Sequence, residues 1–207
     1  KILTTNVWSS ELAKLASNAM LAQRISSINS LSALCEKTGA DIEELSKAIG
    51  MDNRIGPNFL MSSVGFGGSC FQKDILNLVY LCQYYDLKEV AEYWHQVVKI
   101  NNYQKDRFTH KVIDYFSFSN KPKKVTILGW AFKANTNDSR ESPSIYIANL
   151  LLSYGFKLKI YDPEVSRERI IEDLDISNNN QITICESLAD SLENTSAVLV
   201  VTEWDEF

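Results

Sequence analysis

One change in hydrophobic spacing, near residue 117, constrains what this chain can fold into more than any other feature. Up to that point, apolar side chains recur every three or four residues, which predicts helices that bury one face. Beyond it, short apolar runs such as Val125–Leu128 alternate with helical stretches, and this alternation is typical of a parallel sheet with right-handed crossovers. Ser117–Lys124 is the polar linker between the two patterns. We therefore predict an all-α domain over residues 1–117 and an α/β domain over residues 118–207.

The first helix is predicted to be long. Apolar residues repeat from Trp8 to about Lys37, and Gly39 can take the left-handed conformation that ends many helices. About 28 residues would extend roughly 40 Å, so we expect the helix to pack against a partner. After a short helix that begins at Asp41, residues 51–70 form a loop, and a loop of this length inside a compact domain usually has a function. The other predicted elements are helices over residues 72–85, 88–116 (one or two), 143–154 and 186–193, and strands over residues 125–129, 158–161, 182–184 and 197–202.

A glycine-rich loop meets the start of a helix at Cys70. Residues 64–74 read VGFGGSCFQKD, and three glycines within four residues allow backbone conformations that other residues avoid. The apolar stripe after Asp74 predicts a helix, whose free N–H groups and positive dipole end favour a thiolate at its start. Asp74 and Lys73 lie four and three residues after Cys70, so both can share its face of the first turn. Cys70 is therefore a candidate nucleophile, with a buried structural cysteine as the alternative.

Three further polar residues are candidates for ligand contacts. Lys14 and Asn18 are four residues apart on the predicted first helix, so they share a face and can reach one ligand. The alternative is a solvated lysine beside a surface asparagine, because most lysines are exposed. Arg54 is the one cation of the loop at residues 51–70, where it is either an ordinary surface residue or a clamp for an anion or hydroxyl group.

Composition and charge exclude several classes of function. The formal net charge of −5 falls entirely within residues 118–207, and neither half has the basic excess of a nucleic-acid surface. No apolar run reaches the length of a membrane-spanning helix. The four cysteines, at positions 35, 70, 82 and 185, lack the spacing of metal ligands, so we expect reduced thiols, no metal ion and a cytoplasmic protein.

Three segments resemble the UDP-glucose 6-dehydrogenases, a branch of the nucleotide-sugar dehydrogenases. Residues 65–74, GFGGSCFQKD, are similar to the family's catalytic-cysteine segment. Residues 11–19 resemble its lysine–asparagine helix, and residues 132–142 resemble its FK…DxRES loop. The order and spacing of the three segments also match, and the similarity extends over nearly the whole chain. One departure is Asn135, which stands where the family usually has aspartate.

The resemblance implies a fold, a cofactor and partners. The first domain would be the family's all-α central dimerisation domain, similar to the C-terminal domain of 6-phosphogluconate dehydrogenase, and the second a Rossmann-like UDP-sugar-binding α/β domain with a parallel sheet. The family's N-terminal NAD-binding domain and its extreme C-terminus would lie outside this sequence. NAD would be the cofactor, without a metal ion, and UDP-glucose and UDP-glucuronate the ligands. The chain would form a homo-oligomer, a dimer or a dimer-based hexamer, and would bind neither nucleic acid nor membranes.

The implied reaction is a two-step, NAD-dependent oxidation of UDP-glucose to UDP-glucuronate. Cys70 would form a thiohemiacetal and then a thioester with the sugar. Lys14 would stabilise the oxyanion, Asp74 would orient water or Lys14 and relay protons, and Asn18 would hold a water or a substrate hydroxyl. Arg54 would reach the sugar bound by a neighbouring subunit. The family's pattern further implies substrate contacts at Lys14, Asn18, Arg54, Phe59, Met61, Ser63, Phe66, Gly67, Phe132 and Lys133, and NAD contacts at Lys73 and Arg140.

Three other functions stay open. A hydroxyacid dehydrogenase of the 6-phosphogluconate type shares the domain order, but it needs no cysteine and so does not account for Gly67–Cys70. A dehydrogenase for another nucleotide sugar would use the same chemistry. The third is a non-catalytic dimerisation module that binds nucleotide sugars. The isolated chain is expected to be inactive, because its loop at residues 130–141 is not the G-x-G-x-x-G loop of a dinucleotide site.

Overall fold

The structure, a computed structural model, describes residues 2–175 and 180–207. The chain divides into two compact units, Lys1–Gln104 and Lys105–Phe207. This division falls inside one continuous helix, Lys88–Ser117, whereas the sequence-based boundary lies at that helix's C-terminal end. Helical spacing runs unbroken through the division, so the hydrophobic period gives no signal there.

Four helices make up most of the described residues before the sheet. Asn6 caps the first, where its side-chain oxygen accepts a hydrogen bond from the Ser9 amide at 2.8 Å. Gly39 ends the same helix with φ 79°, and its amide donates to the Cys35 carbonyl, which confirms the predicted glycine stop. Residues 88–116, which the sequence predicted to form one or two helices, lie in a single helix. The bounds are α1 Val7–Thr38, α2 Ile42–Gly50, α3 Phe71–Tyr84 and α4 Lys88–Ser117.

Small side chains let α1 and α3 pack closely. Ala19 and Ala22 of α1 are completely buried, in a cluster that includes Ile75 and Val79 of α3. Because neither alanine extends beyond Cβ, the two backbones can approach each other and dispersion contacts accumulate across the interface. Asn18 directly precedes Ala19 on α1. The packing therefore sets the distance between this part of α1 and the first turn of α3.

Apolar side chains also occupy the exposed side of α1. Trp8, Leu12, Met20 and Leu34 are all exposed, in addition to the buried face described above. The helix therefore carries apolar residues on more than one side. No helix within residues 2–175 or 180–207, α1 included, combines the length and the apolar character that crossing a bilayer requires.

The second unit is built on a parallel sheet, as the alternation of strands and helices predicted. The bounds after α4 are β1 Lys124–Leu128, α5 Pro143–Ser153, β2 Lys157–Tyr161, α6 Arg167–Asp173, β3 Ile182–Ile184, α7 Leu188–Leu192 and β4 Ala197–Val200. Ser142 caps α5 and Pro143 occupies its first turn, both as predicted. The sequence did not predict α6, because its seven residues mix charged and apolar types without a clear stripe.

The strand order places a topological switch at the carboxyl end of β1. Among the described strands the order is β3-β2-β1-β4, and every neighbouring pair is parallel. β1 is central and almost entirely buried, as expected of a strand with cover on both faces. The chain leaves β1 for β2 on one side, while β4 lies on the other. Ligands of open α/β sheets bind outside the carboxyl ends of strands at such a point, where the loop at residues 129–142 begins.

Candidate active site

Asp74 is the centre of a polar cluster in the first unit. It lies in the first turn of α3, and its side chain is only 6% exposed. Its Oδ2 accepts hydrogen bonds from Lys14 Nζ at 2.9 Å and from Asn18 Nδ2 at 2.6 Å, both on α1. The four-residue spacing on α1 therefore brings Lys14 and Asn18 to one group, and that group is a carboxylate of the same chain.

The cluster is charged at neutral pH. Burial works against the charge of Asp74, but hydrogen bonds from Lys14 and Asn18 outweigh it and hold the pKa of that carboxyl below its ordinary value. The nearby charge of Lys73 acts in the same direction. The hydrogen bond and the charge of Asp74 in turn raise the pKa of Lys14. Because the Lys14 side chain is 68% exposed, its ammonium group can still donate to a ligand.

Cys70 lies at the N-terminus of α3 and is exposed. Its carbonyl accepts a hydrogen bond from the Asp74 amide at 2.9 Å, which joins the cysteine to the first turn of the helix. The charge of Cys70 also contributes to the raised pKa of Lys14. The thiol and the Lys14–Asp74 pair therefore lie within electrostatic reach of each other.

The other three cysteines are less accessible than Cys70, and all four are free thiols. Cys35 and Cys82 are buried in the helical part of the chain. Cys185 is half-buried, and burial raises the pKa of its thiol. Cys70 is thus the cysteine that a dissolved reagent or ligand reaches most easily.

Positive backbone angles explain two of the glycines before Cys70. Gly65 has φ 124° and Gly68 has φ 83°. Residues with a Cβ rarely adopt these conformations, so the turn that leads into α3 requires glycine at both positions. Glycine gives such a turn little stiffness of its own, and other groups must therefore hold its ends.

Three buried carboxamides hold the main chain at Ser63 and Phe66, and we call them the amide clasp: Asn29 of α1 with Asn101 and Gln104 of α4. Asn29 Oδ1 accepts a hydrogen bond from the Ser63 amide at 2.8 Å, and Gln104 Nε2 donates to the Ser63 carbonyl at 2.6 Å. Asn101 Oδ1 accepts from the Phe66 amide at 2.8 Å, and its Nδ2 donates to the Phe66 carbonyl at 3.0 Å. The main chain at both positions is fixed from the protein interior.

Arg24 of α1 holds an earlier part of the same loop. Its guanidinium group donates to the carbonyl oxygens of Ile55, Gly56 and Asn58 at 2.8, 2.8 and 2.9 Å. The planar fork of an arginine, with five N–H donors, suits a contact with several acceptors at once. Two helices thus fix two successive parts of the loop that precedes Cys70.

In the second unit, two buried carboxylates anchor the loop that follows β1. Asp162 Oδ2 accepts hydrogen bonds from the Trp130 and Ala131 amides at 2.6 and 3.0 Å. Asp173 accepts from Trp130 Nε1 at 2.9 Å and forms an ion pair with Arg169 at 2.6 Å. The beginning of the loop is therefore fixed at the carboxyl end of the sheet.

The rest of this loop carries the residues of the FK and RES segments. Lys133 and Arg140 are exposed, and Phe132 is half-buried. Arg140 donates to Asp138 through Nε at 2.9 Å and a terminal nitrogen at 2.8 Å, and this contact lowers the pKa of Asp138. Asn135 has φ 62°, a left-handed conformation that asparagine adopts more readily than most residues. The departure from the usual aspartate is therefore compatible with the backbone.

Family models match both halves of the chain. Residues 8–103 match the central domain of the UDP-glucose/GDP-mannose dehydrogenase family, and residues 126–207 match the UDP binding domain of the same family. The chain belongs to the UDP-glucose/GDP-mannose dehydrogenase family. The two domains occur in the order that the sequence predicted.

Curated relatives in this family are similar along the whole chain. The UDP-glucose 6-dehydrogenase of Gallus gallus is 57% identical over 214 residues, and that of Drosophila melanogaster is 53% identical over 214 residues. UDP-glucose 6-dehydrogenase 2 of Arabidopsis thaliana is 50% identical over 223 residues. Each alignment covers 100% of this chain but 43%, 45% and 46% of the respective relative. The chain therefore spans less than half the length of these relatives.

Solved structures of dehydrogenases share the fold. A UDP-glucose dehydrogenase from Pyrobaculum islandicum has a TM-score of 0.83 at 30% identity, over 96% of this chain and 44% of its own. A UDP-N-acetyl-mannosamine dehydrogenase from S. aureus has a TM-score of 0.79 at 22% identity, over 98% of this chain and 44% of its own, which supports the fold alone. With the matched domains, this confirms a helical central domain followed by an α/β domain with a parallel sheet.

The structure brings the four residues predicted to be catalytic in this dehydrogenase family close together. Lys14, Asn18 and Asp74 are joined by hydrogen bonds, and Cys70 directly precedes the helix that carries Asp74. Lys73, a predicted NAD contact, is exposed in the same turn. The catalytic roles of these residues stay predictions.

The predicted substrate contacts in the first unit lie in different environments. Arg54 is 89% exposed and forms an ion pair with Asp52 at 2.5 Å, within its own loop. Phe66 is buried in the hydrophobic core, and Asn101 takes both of its main-chain polar groups. The main-chain amide and carbonyl of Phe66 are therefore already paired within the protein, and its contact with a substrate stays a prediction. Of the others, Phe59, Met61 and Ser63 are exposed, and Gly67 is buried.

Sequence reasoning missed the residues that hold the site in place. The acceptors of Arg24 lie 31 to 34 residues away, so no local pattern marks it. The sequence did contain a signal for the clasp. Asn101 comes four residues after the apolar Val97, and Gln104 comes three residues after Asn101, which is the spacing of one helix face. Two carboxamides therefore stand on the apolar face of α4, where polar groups are costly unless they are hydrogen-bonded.

The described residues include exposed cations but no cluster of metal-ligating side chains. Across residues 2–175 and 180–207, no three His, Cys, Asp or Glu side chains are grouped so that they could hold a metal ion. The loop after β1 reads GWAFKANTNDSRE, without the glycine fingerprint of a dinucleotide site. Lys73 and Arg140 are exposed cations, the kind of group that binds phosphates.

Proposed function

We propose that this chain contains the catalytic thiol and the UDP-binding part of an NAD-dependent UDP-glucose 6-dehydrogenase, which oxidises UDP-glucose to UDP-glucuronate in two steps. The observation that carries the proposal is the exposed Cys70 at the start of α3, one turn from the cluster of Asp74, Lys14 and Asn18. Relatives called UDP-glucose 6-dehydrogenase, aligned with the whole chain, support the same substrate.

Cys70 would act as the nucleophile. Its thiolate attacks the aldehyde carbon made from the sugar's C6 alcohol, a C–S bond forms, and the carbonyl oxygen becomes an oxyanion. NAD, held mainly by parts of a longer protein outside this sequence, would accept the hydrides of both oxidations. Water then attacks the resulting thioester, the C–S bond breaks, and the thiolate leaves as the carboxylate product forms. Cys70 is thus regenerated in each turnover.

Lys14 would stabilise the oxyanion. A lysine is protonated at neutral pH, and Asp74 raises the pKa of Lys14 further, so its ammonium group can donate to the oxygen as the negative charge develops. The lowered pKa of Asp74 makes it a weak proton acceptor, so its main role is to hold Lys14 and a water in place. Asn18 donates to Asp74 through Nδ2 and can accept from a water or a substrate hydroxyl through Oδ1.

A longer protein that carries these residues behind an NAD-binding domain tests the proposal. With UDP-glucose and NAD it should form two reduced nicotinamides per sugar, which absorbance measures directly. Cys70→Ser should stop the second oxidation but leave substrate binding intact, because a serine hydroxyl adds far less readily to the aldehyde. Unchanged turnover in Cys70→Ser, or no reduction of NAD by the unaltered protein, would contradict the assignment.

The isolated 207-residue chain would be inactive but would still form a dimer. The loop after β1 lacks a dinucleotide fingerprint, so the isolated chain would not turn over UDP-glucose and NAD. It would form a dimer through the exposed apolar residues of α1, either alone or within a hexamer. Four free cysteines are compatible with a cytoplasmic location. Reduction of NAD by the purified chain in the presence of UDP-glucose would contradict the first of these statements.

A further inference from the structure

The amide clasp contacts a segment that has no regular secondary structure. Residues 60–69 belong to no helix or strand, so their main chain lacks the partners that such elements supply. A carboxamide has one carbonyl and one NH₂ group, and it can therefore pair with a peptide group as a neighbouring strand would. Asn101 does this with Phe66, since it both accepts from the amide and donates to the carbonyl.

Helix packing alone does not account for the clasp. Asn29 and Asn101 are each 1% exposed, and burying a primary amide is unfavourable unless its hydrogen bonds are made. Among the described residues, Asn29 Nδ2 and Gln104 Oε1 have no hydrogen-bond partner. An apolar side chain at either position would have no unsatisfied atom of its own, but the main-chain group of Ser63 that it faces would lose its partner. What the amides add is the hold on Ser63 from both sides.

The clasp lies immediately before the flexible turn that ends at the thiol. Only Gly67, Gly68 and Ser69 separate Phe66 from Cys70. Gly68 has a positive φ and glycine restrains the backbone least, so this turn is defined mainly by its two ends. One end is Cys70, whose carbonyl is bonded in the first turn of α3, and the other is Phe66 in the clasp.

We propose that Asn101, Gln104 and Asn29 are positioning residues, which hold the loop main chain so that Cys70 stays beside the Lys14–Asp74 pair. The inference rests on the proposed function for its catalytic part and on geometry alone for its structural part. Asn101 acts through Phe66, next to the turn, and therefore governs the reactive geometry of the thiol. Gln104 and Asn29 act through Ser63 and also govern a predicted substrate contact.

Hydrogen exchange on the 207-residue chain tests the structural part. In Asn101→Ala, the Phe66 amide loses its acceptor, and its exchange should accelerate about tenfold or more, while amides in the middle of α1 keep their rates. Asn102→Ala is the matched control, because the neighbouring Asn102 is exposed and undergoes the same chemical change. Equal exchange at Phe66 in Asn101→Ala and Asn102→Ala would overturn the proposal.

Kinetics of a longer, NAD-binding protein test the catalytic part. Asn101→Ala should lower kcat about 10- to 100-fold with little change in the KM for UDP-glucose, since the thiol is displaced but the substrate still binds. Gln104→Ala should raise KM as well, because it frees Ser63. Assays well below the melting temperature separate this effect from lost stability, which alone would leave kcat unchanged. A wild-type kcat in a folded Asn101→Ala protein would overturn the positioning role.

The proposal can still be tested if Asn101→Ala does not fold or if the unaltered longer protein is inactive. If circular dichroism shows that Asn101→Ala does not fold, Gln104→Ala replaces it, because it removes a single hydrogen bond: faster exchange of the main chain around Ser63 supports the clasp and unchanged exchange overturns it. If the unaltered longer protein fails to reduce NAD with UDP-glucose, the proposed function fails. The exchange result at Phe66 then still decides whether the clasp holds the loop.

Discussion

At Asp74, two opposite effects act on one carboxyl group. Burial disfavours the charged form, while hydrogen bonds from Lys14 and Asn18 favour it and prevail. A carboxylate so far removed from water depends on its donors, because losing one leaves a buried charge less well paired. The same contacts fix the position of the Lys14 ammonium group. Charge and geometry at this site therefore depend on one set of hydrogen bonds.

We predict that Asp74→Asn lowers the free energy of unfolding by about 1–3 kcal/mol near neutral pH, since an amide group would replace the charge that Lys14 and Asn18 need. Because the pKa of Asp74 is lower in the folded state, its ionisation stabilises the fold above the unfolded value of about 3.9. This contribution is lost as the pH falls through the lower, folded pKa. The variant should therefore lose less stability than the wild type between weakly and strongly acidic pH.

Urea unfolding across this pH range measures the effect. Asp114→Asn is the control, because Asp114 is exposed on α4 and should leave the acid dependence unchanged. Acid dependence in Asp74→Asn that matches the wild type would show that Lys14 and Asn18 do not stabilise the ionised carboxyl.

Among the cysteines, we predict that Cys70 is alkylated first by iodoacetamide at neutral pH. It is exposed, whereas Cys35 and Cys82 are buried and Cys185 is half-buried with a raised pKa. Peptide mapping of the folded chain after short labelling times measures the order. Faster labelling of any of the other three would contradict an accessible, reactive thiol at position 70.

Among the helices and strands, the sequence was most informative where the pattern is local. Apolar spacing and Gly39 predicted α1 closely, and the run Val125–Leu128 predicted the central strand, because both depend on neighbouring residues. The four-residue spacing predicted that Lys14 and Asn18 would share a face of α1, but not that both would meet at Asp74. The contacts of Arg24 and of the amide clasp join distant parts of the chain, so only the folded structure reveals them.

We predict that the contact of Arg24 with the loop contributes little to overall stability but restrains the loop. Arg24→Ala removes three hydrogen bonds to loop carbonyls, and because these are near solvent we expect a loss of only about 1 kcal/mol in unfolding free energy. The loop around Ile55–Asn58 should nevertheless become more sensitive to proteases. Arg24→Lys should restore little, since a lysine lacks the planar fork that reaches several acceptors.

Thermal unfolding and limited proteolysis measure the two effects. Arg54→Ala is the control: its ion pair with Asp52 is exposed, so removing it should change stability little. If Arg24→Ala and Arg54→Ala are cut in this loop at the same rate, the guanidinium contact does not hold the loop.

In the whole molecule, each unit carries one set of the residues that the sequence predicted to be functional. The first carries the thiol with the Lys14–Asp74 pair, and the second carries the loop with Lys133 and Arg140. Both sets could be proposed from the sequence, because each motif is short and contiguous. The division of the chain at Gln104 could not, because it depends on which residues pack together and not on local spacing. Because each set of residues lies within one unit, variants in one unit test that set separately from the other.

We predict that the chain self-associates through the exposed apolar side of α1. This helix has 32 residues, with apolar side chains such as Leu12, Met20 and Leu34 exposed along it. Stable homodimers bury about 2,000 Å² or more, and water contact with such a surface is unfavourable in a lone chain. Met20→Glu should therefore dissociate the assembly, because a charge in the middle of this side would lose its hydration on association. Sedimentation velocity at micromolar concentration measures the change. Phe118→Glu, at an exposed apolar residue outside α1, should leave the assembly intact. A wild-type chain that sediments as a single copy, or a Met20→Glu variant that stays assembled, would show that α1 is not the interface.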